Sequence, residues 1–164
     1  MRGEGADKRG VATPKPASAA QSGQDSRRYL TFRVARLDFA IPAERVRGIL
    51  PLRDLVAVPP GRAAFAGIAS LGGRALAVFD LRVKLDLRHA SQGRRPKIVV
   101  IEVAASEGPR LAGFIADRVT DIAVYRPRDF SHGAFRGDGR PRRLLDPDQL
   151  ISEEDLMCLW SANP

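Results

Sequence analysis

A Gly-Gly dipeptide at Gly72-Gly73 lies between two apolar segments and constrains the fold more than any other feature of the chain. Glycine reaches positive φ without a steric penalty, so two glycines between β-compatible segments predict the tight turn of a β-hairpin. The second arm, Arg74–Asp80, is almost entirely small or apolar, which is typical of a strand buried on both faces. We therefore predict a central hairpin whose second strand ends at the charged corner Asp80-Leu81-Arg82.

Segments on both sides of this hairpin also have strand patterns. Residues 29–35 alternate apolar and polar side chains with a period of two, as in a half-buried strand, and residues 39–42 follow as a second strand. Residues 96–103 are rich in β-branched side chains, and residues 111–115 form another apolar run after a polar turn. Several short strands separated by turns at short spacing predict an all-β barrel or sandwich.

Two segments predict short helices instead. Residues 43–50 lie between two prolines and place Val46 and Ile49 on one side of a helix. Near the C-terminus, Ser152 is a suitable N-cap because three acidic residues follow it, where the helix dipole favours negative charge. We predict a terminal helix from there to about Trp160.

The composition limits the size of the core and indicates the cellular location of the protein. With 164 residues, of which 44% are hydrophobic and 28% charged, the chain has enough apolar side chains for one substantial core or two small cores with a shared interface. Cys158 is the single cysteine, so an internal disulfide is excluded, and no metal-ligand spacing surrounds it. No apolar run approaches the roughly 20 residues that a membrane span requires, and the N-terminus has no signal-peptide pattern. We expect a soluble cytoplasmic protein without a metal site.

Residues 1–27 differ in composition from the rest of the chain. They are rich in Ala, Gly, Ser, Pro and charged residues and contain almost no large apolar side chains. Such a segment buries too little apolar surface to offset the entropy of ordering. We predict a disordered tail over residues 1–27 and one folded domain over residues 28–161.

The chain carries a formal net charge of +8, which raises the question of a nucleic-acid partner. The arginines are mostly scattered, with short clusters in or next to predicted loops, and this pattern favours a solvated surface. Barrels that bind oligonucleotides use exposed aromatic side chains for stacking, whereas aromatics are only 6% of this chain and mostly occupy apolar-face positions. A small basic β-barrel that binds nucleic acid is therefore an alternative that the sequence disfavours.

The residues of common catalytic sites are missing. The chain has two histidines, His89 and His132, and both lie in predicted loops without a nucleophile pattern around them. The glycines of the central hairpin lead into a strand and not into a helix, so they do not form a phosphate-binding loop. Asp80 and Asp117 each lie at a strand end, where capping a turn is the expected role. We predict no enzymatic activity and no cofactor.

The order of these segments resembles the CheW family of chemotaxis coupling proteins. The family has a strand ending in Ala-Ile-Pro, then Val-x-x-Ile-Leu, then a glycine before a hairpin whose second strand closes on Asp-Leu-Arg, and later a hairpin that closes on Val-Asp-x-Val. The corresponding residues here are Ala40-Ile41-Pro42, residues 46–50, Gly67, Asp80-Leu81-Arg82 and Ala116-Asp117-Arg118-Val119. The resemblance covers residues 29–159 in one order, without large insertions.

The resemblance implies a fold and a function. The fold is a pair of small five-stranded SH3-like β-barrels packed against each other, with short helices and a C-terminal helix. The function is that of a non-enzymatic adaptor. One barrel docks on the regulatory domain of the histidine kinase CheA, and the cleft between the barrels takes the cytoplasmic tip of a methyl-accepting chemoreceptor. Such a protein works in the cytoplasm in association with receptor arrays and does not insert into the membrane.

Matching positions with the family places the partner-binding residues on two segments of this chain. They are Val46, Gly48, Ile49, Gly67, Ser70, Gly72, Gly73 and Arg74. A structural role stays open for four of them. Val46 and Ile49 also suit core positions. Gly67 and Gly73 also suit the geometry of a turn.

Three positions depart from the family pattern, namely Gly48, Ser70 and Gly72. Family members commonly carry an acidic residue where this chain has Gly48, and an Asn-Leu-Arg-Gly turn where it has Ser70-Leu71-Gly72-Gly73. Loss of a charge from an interface rim lowers the association rate and the specificity of binding. We therefore hypothesise a divergent adaptor in which these changes either abolish the usual contacts or redirect them.

Overall fold

The computed structural model describes residues 26–59, 64–87, 95–135 and 141–157. The strands among these residues form two sheets of six strands each. The predicted disordered tail lies outside the described residues up to position 25, and the first strand begins at Arg27. His89 and the end of the predicted terminal helix also lie outside them.

The first sheet combines the N-terminal hairpin with strands from the last third of the chain. Its strands are β1 (Arg27–Val34), β2 (Leu37–Pro42), β9 (Arg118–Tyr125), β10 (Phe130–Ser131), β11 (Ala134–Phe135) and β12 (Arg142–Leu144). They lie in the order β10-β11-β12-β2-β1-β9, and only β12 and β2 pair in parallel. A turn at Ala35-Arg36 connects β1 to β2, which confirms the first predicted hairpin.

The second sheet contains the central hairpin. Its strands are β3 (Val46–Pro51), β4 (Val56–Ala57), β5 (Phe65–Leu71), β6 (Arg74–Asp80), β7 (Lys97–Val103) and β8 (Arg110–Ala116), in the order β3-β7-β8-β6-β5-β4. Leu71 pairs with Arg74, and Gly72 and Gly73 form the turn with φ values of 57° and 80°. The predicted central hairpin and the β7–β8 hairpin are therefore confirmed.

The described helices are short, and a side chain caps each N-terminus. They are α1 (Leu81–Lys84), α2 (Pro147–Leu150) and α3 (Glu153–Leu156). Ser152 caps α3 as predicted. Its hydroxyl accepts a hydrogen bond from the Asp155 N–H at 3.1 Å, and the Asp155 carboxylate accepts one from the Ser152 N–H at 2.8 Å. This reciprocal capping box satisfies two backbone donors that the helix itself leaves free.

One apolar core joins the two sheets. Leu30, Phe32 and Val34 alternate along β1, face the second sheet and are buried. The Phe32 ring centroid lies 4.9 Å from that of Phe114 in β8 and 5.7 Å from that of Phe39 in β2. Each sheet covers the apolar face of the other, so we call this set the inter-sheet core.

Each sheet also has apolar side chains on its opposite face. In the second sheet these form a separate cluster whose buried members are Ala69, Leu76, Val78, Ile98, Val100 and Ile115. In the first sheet, the ring of Tyr29 lies 5.2 Å from Phe130 and 6.0 Å from Tyr125, centroid to centroid. The fold thus has one core that both sheets share, and each sheet also has a smaller apolar cluster on its other face.

The predicted helix over residues 43–50 is wrong. Only Ala43–Arg45 forms a helical turn, of the 3₁₀ type, and residues from Val46 onward form β3. A bulge between Val46 and Gly48 shifts the register, so that Val46 lies opposite Ile101 and Ile49 opposite Val99. The extra residue brings two apolar side chains three positions apart onto one face, which imitates helical spacing. The β-branched side chains of Val46 and Ile49 favour a strand, and Gly48 disfavours a helix.

Two finer predictions also need correction. In β6, residues 76–79 are buried, but Arg74 and Ala75 are exposed because this end of the strand belongs to the projecting hairpin turn. Each sheet has six strands among the described residues where the family resemblance implied five, because two-residue strands such as β4 and β10 pair at the sheet edges.

Asp80 and Asp117 both accept hydrogen bonds from backbone groups at turns. Asp80 caps α1 by accepting from the Arg82 N–H at 2.9 Å. It also pairs with the Arg82 guanidinium, and this hydrogen bond raises the pKa of Arg82. The buried Asp117 accepts from the Ala35 N–H at 2.8 Å. It thereby supports the β1–β2 turn, whose positive φ values are uncommon outside glycine.

Asp148 in α2 links the C-terminal helices to the second sheet. Its carboxylate accepts hydrogen bonds from the Arg45 guanidinium and, at 2.7 Å, from the Ala104 N–H. The bond from Arg45, followed by that from Ala104, lowers the pKa of Asp148. A carboxyl group with a lowered folded-state pKa stabilises the fold above its unfolded value of about 3.9, and this contribution is lost as the pH falls through the folded value.

We expect Asp148→Asn to lower the free energy of unfolding at pH 7 by about 0.5–1 kcal/mol, since the ion pair with Arg45 is partly exposed. The difference from the wild type should shrink as the pH falls below about 4, because the wild-type carboxylate then becomes protonated. Urea denaturation at a series of pH values measures both effects, with Asp54→Asn at an exposed position as the control. A difference that stays constant down to pH 2 would contradict this assignment.

We expect Phe32→Ala to lower the free energy of unfolding by about 3–5 kcal/mol, because it leaves a cavity between the two sheets. Val124→Ala is the control, since this side chain is 63% exposed and its truncation should change stability by less than about 0.5 kcal/mol. Urea denaturation followed by circular dichroism compares them, and Phe32→Leu provides a milder cavity if the alanine variant does not fold. Equally small losses at both positions would show that the sheets do not depend on a shared core.

Candidate docking surface

All eight predicted partner-binding residues lie in the second sheet. Three of them are on β3, and the other five are on the β5–β6 hairpin. In the sheet order two strands, β7 and β8, separate β3 from the hairpin, but the two segments still approach each other. A Cβ atom on Gly48 would lie only 3.0 Å from Cδ1 of Leu71. The two groups of predicted residues therefore form one region of the surface.

The contact between Gly48 and Leu71 explains one departure from the family pattern. A Cβ on Gly48 would also lie 3.2 Å from Cδ2 of Leu71, so the leucine side chain already covers this position. Leu71 packs against the apolar cluster of the second sheet. A carboxylate side chain at position 48 would require Leu71 to move, so glycine here is matched to the leucine across from it.

The structure separates the roles of Val46 and Ile49. Val46 is half-buried and packs against the inter-sheet core, which is a structural role. Ile49 lies on the same face of β3, next to the fully buried Val99, but remains 44% exposed at the sheet edge. A large apolar side chain that extends a core to the surface is suited to bind a partner. Ile49 is therefore the more accessible of the two apolar side chains.

The three hairpin glycines have backbone roles. A Cβ on Gly67 would lie 2.3 Å from the carbonyl oxygen of Val56, so only glycine allows β4 to pair here. Gly72 and Gly73 need their positive φ for the turn, and no atom lies within 4 Å of a Cβ added to either. The turn is consequently an open surface without side chains, which a partner backbone can approach closely.

Ser70 and Arg74 flank this turn and are both exposed. Arg74 also lines a groove of about 580 Å³ between β6, the β7–β8 turn and α3. The apolar part of the groove includes Leu111 and Met157, and Met157 is 54% exposed. The sequence did not predict this groove, because three segments distant in the chain form it and none of them carries a recognisable motif.

Charged residues form the rim of this groove. Arg110 pairs with Glu107 at 3.0 Å. Glu153 accepts a hydrogen bond from the Ser106 N–H, and its hydrogen bonds with Ser106 lower the pKa of Glu153. These contacts fix the rim at the β7–β8 turn, and Arg74 adds a further charged side chain to the groove.

Two further apolar side chains are exposed on β9 in the first sheet. Ile122 is 46% and Val124 is 63% exposed. Ile122 lies opposite Leu30, which belongs to the inter-sheet core. Ile122 and Ile49 therefore both continue the inter-sheet core outward, one from each sheet. The sequence did not single out Ile122, because a strand residue beside a buried leucine is normally expected to be buried.

The described residues give little support for a metal site, a membrane-spanning helix or a base-stacking surface. They contain no cluster of three or more metal-ligating side chains. None of their helices is long and apolar enough to cross a bilayer. Every aromatic side chain whose burial is described is buried or half-buried, so no exposed platform for base stacking is found there.

We expect Gly48→Asp to lower the free energy of unfolding by about 1–3 kcal/mol, because the new side chain overpacks against Leu71. Leu71→Ala removes the obstructing methyl groups, so the double variant should lose less than the sum of the two single losses. Combining Gly48→Asp with Leu52→Ala, another leucine of the same cluster, provides the control and should be additive. If the losses in unfolding free energy are additive in both double variants, a specific contact between Gly48 and Leu71 is contradicted.

Comparison with known proteins relates this architecture to one family. Residues 28–155 match the profile of the CheW-like domain. The probable chemotaxis protein CheW of Rhizobium etli is 26% identical over 146 residues, which cover 80% of this chain and 92% of the relative. The chemotaxis protein CheW of Rhizobium meliloti is 25% identical over 143 residues, which cover 79% of this chain and 90% of that relative.

A solved structure has the same fold. The scaffolding protein TtCheW from Thermoanaerobacter tengcongensis superimposes with a TM-score of 0.67 at 15% sequence identity, covering 79% of this chain and 90% of the other. The prediction of an all-β fold with two small barrel-like units is therefore confirmed. Because the domain profile spans most of the chain and the two relatives match it along nearly their full length, the chain is a divergent member of the CheW family.

Proposed function

We propose that the protein is a non-enzymatic adaptor that couples chemoreceptor tips to a CheA-type histidine kinase by protein–protein binding. The observation that carries this proposal is a CheW-family fold that exposes Ile49 and Ile122 directly opposite the core residues Val99 and Leu30. Interfaces of this kind have an apolar centre and a charged rim that sets the register. No catalytic step and no cofactor is needed for such a function.

The chemoreceptor tip binds where the two sheets meet. A receptor tip is a helical hairpin, and an amphipathic helix binds an apolar groove through side chains spaced one turn apart. Ile49 at the edge of the second sheet and Ile122 on the first sheet offer such apolar contacts on faces that belong to the inter-sheet core. The half-buried Val46 supports this surface from below, since it packs against the same core.

The regulatory domain of the kinase binds the β5–β6 hairpin. The exposed turn presents Ser70, the backbone of Gly72 and Gly73, and the guanidinium of Arg74. The turn has no Asn or Arg of its own, so Arg74 supplies the positive charge next to it. A partner with an acidic group opposite Arg74 is therefore favoured, and the family's usual partners with other charge patterns are disfavoured.

The proposal extends to the whole chain and to its location. The adaptor domain extends from β1, which begins at Arg27, to residue 161, and the residues before β1 form a tail. The protein works in the cytoplasm as part of receptor arrays. Nucleic-acid binding through the arginines is the competing function, and the burial of the aromatic side chains weighs against it.

Substitutions that remove one docking contact at a time test the proposal. In titrations of the full chain, we expect Ile49→Ser to weaken binding of a receptor-tip fragment by tenfold or more and to change binding of the CheA regulatory domain less than twofold. Arg74→Glu should have the reverse effect, because it inverts the charge beside the turn. Isothermal titration calorimetry at two salt concentrations measures both partners.

Val83→Ser is the matched control for Ile49→Ser. Val83 lies on α1 and is 46% exposed, close to the 44% of Ile49, so both substitutions remove a comparable exposed apolar side chain. The control variant should bind both partners as tightly as the wild type. Failure of the wild-type chain to bind either partner, together with steeply salt-dependent binding of RNA or DNA, would replace the adaptor function with the nucleic-acid alternative.

A further inference from the structure

The groove beside Arg74 is an open end of the inter-sheet core. Its lining includes Ala77, which is buried in that core, and Leu156, which packs against the core from α3. Ala75 lies two residues from Ala77 on the same face of β6 but is exposed. Met157 lines the same groove and is 54% exposed. Apolar surface that joins a core and stays open marks a place where a further apolar group binds.

Small side chains create the space in the groove. The inner face of β6 carries Ala75 and Ala77 at this end and Phe79 at the other. On the parallel strand β8, Ala112 lies opposite Ala77, whereas Phe114 lies opposite Phe79. The phenylalanines fill the centre of the inter-sheet core, and the alanines leave the groove of about 580 Å³ beside it. Ligand pockets of about 300–1,000 Å³ hold drug-sized molecules, so this groove has room for two large side chains.

The charges at the rim favour a neutral occupant. They belong to Arg74, Glu107, Arg110, Glu153 and Glu154. Guanidinium groups and carboxylates thus stand around one groove, and a charged ligand of either sign would be repelled by some of them. A neutral aromatic ring avoids this repulsion and also attracts a guanidinium to its face, most strongly when the ring is that of tryptophan.

The chain itself continues from α3 directly beside the groove. The N–H of Met157 still donates to a helix carbonyl at 3.2 Å, and its backbone has helical dihedral angles. Residues 158–160, which read Cys-Leu-Trp, follow and lie outside the described residues. Leu159 and Trp160 are three and four positions after Leu156, the spacing of side chains on one face of a helix. Even an extended chain keeps Trp160 within about 10 Å of Met157.

We propose that the segment after Met157 covers this groove and places the side chains of Leu159 and Trp160 in its apolar part. The indole ring packs on Ala75 and Ala77, where the small side chains leave room. The segment thereby closes the open end of the inter-sheet core. The surface next to the β5–β6 hairpin is then formed by this chain's own residues and is not a cleft that waits for a partner.

The fluorescence of the full-length protein tests the proposal, because Trp160 is the single tryptophan and reports its own surroundings. We expect the native protein to emit at shorter wavelength than the urea-unfolded protein. Acrylamide should quench the native emission at least about threefold less efficiently, since a packed indole is shielded from solvent. Nuclear Overhauser contacts between the indole protons and the methyl groups of Ala75 and Ala77 identify the place where the ring packs.

Two matched variants fill an exposed alanine position with the same larger side chain. Ala75→Leu occupies part of the groove, so it should displace the indole, shift the emission toward the unfolded value and raise quenching by about twofold or more. Ala57→Leu lies on β4 of the same sheet, outside the groove, and should change neither quantity. Circular dichroism verifies that both variants are folded.

Three results would overturn the proposal. Equal emission and quenching in the native and the urea-unfolded protein would show that the groove does not hold Trp160. A shielded indole without contacts to Ala75 or Ala77 would place the ring elsewhere. An indole that is shielded only after addition of the CheA regulatory domain would assign the groove to the partner. The wild-type measurement is made without a partner, so the inference is tested independently of the adaptor function.

Discussion

The contact between Phe32 and Phe114 lies at the centre of the core on which the rest of the structure depends. Small sheets have too little interior to be stable alone, and here each one covers an apolar face of the other. The chain crosses between the sheets at the 3₁₀ turn 43–45 and again after β8. The second sheet therefore comes from the continuous segment from β3 to β8, whereas the first sheet combines β1 and β2 with strands from the last third of the chain. The two barrel-like units share one core, so the same side chains hold both sheets together.

The proposed receptor surface lies next to the core. Ile49 and Ile122 lie opposite Val99 and Leu30, which are core residues, so a receptor tip that binds there would contact side chains adjacent to the core. The glycines near it have backbone roles: Gly67 lets β4 approach, and Gly48 makes room for Leu71. In the proposed adaptor, the Gly48–Leu71 contact occupies the position of the family's acidic group, and Arg74 provides the charge near an otherwise bare turn.

The sequence was sufficient for much of the fold and for less of the site. Period-two patterns and Gly72-Gly73 predicted the hairpins correctly because these signals are local. The helix over residues 43–50 was wrong because a β-bulge put Val46 and Ile49 on one face, and only the partner strand β7 reveals this register. The groove beside Arg74 was missed for a related reason, because it is assembled from strands and turns that are distant in sequence.

We propose that one molecule of this protein holds a receptor tip and a kinase domain at the same time, on different parts of its surface. Analytical ultracentrifugation of the full chain mixed with a receptor-tip fragment and the CheA regulatory domain tests this, each pair first and then all three together. We expect two binary complexes and one ternary complex with a single copy of this chain between the partners. Binary complexes that displace each other, or no complex with either partner, would contradict it.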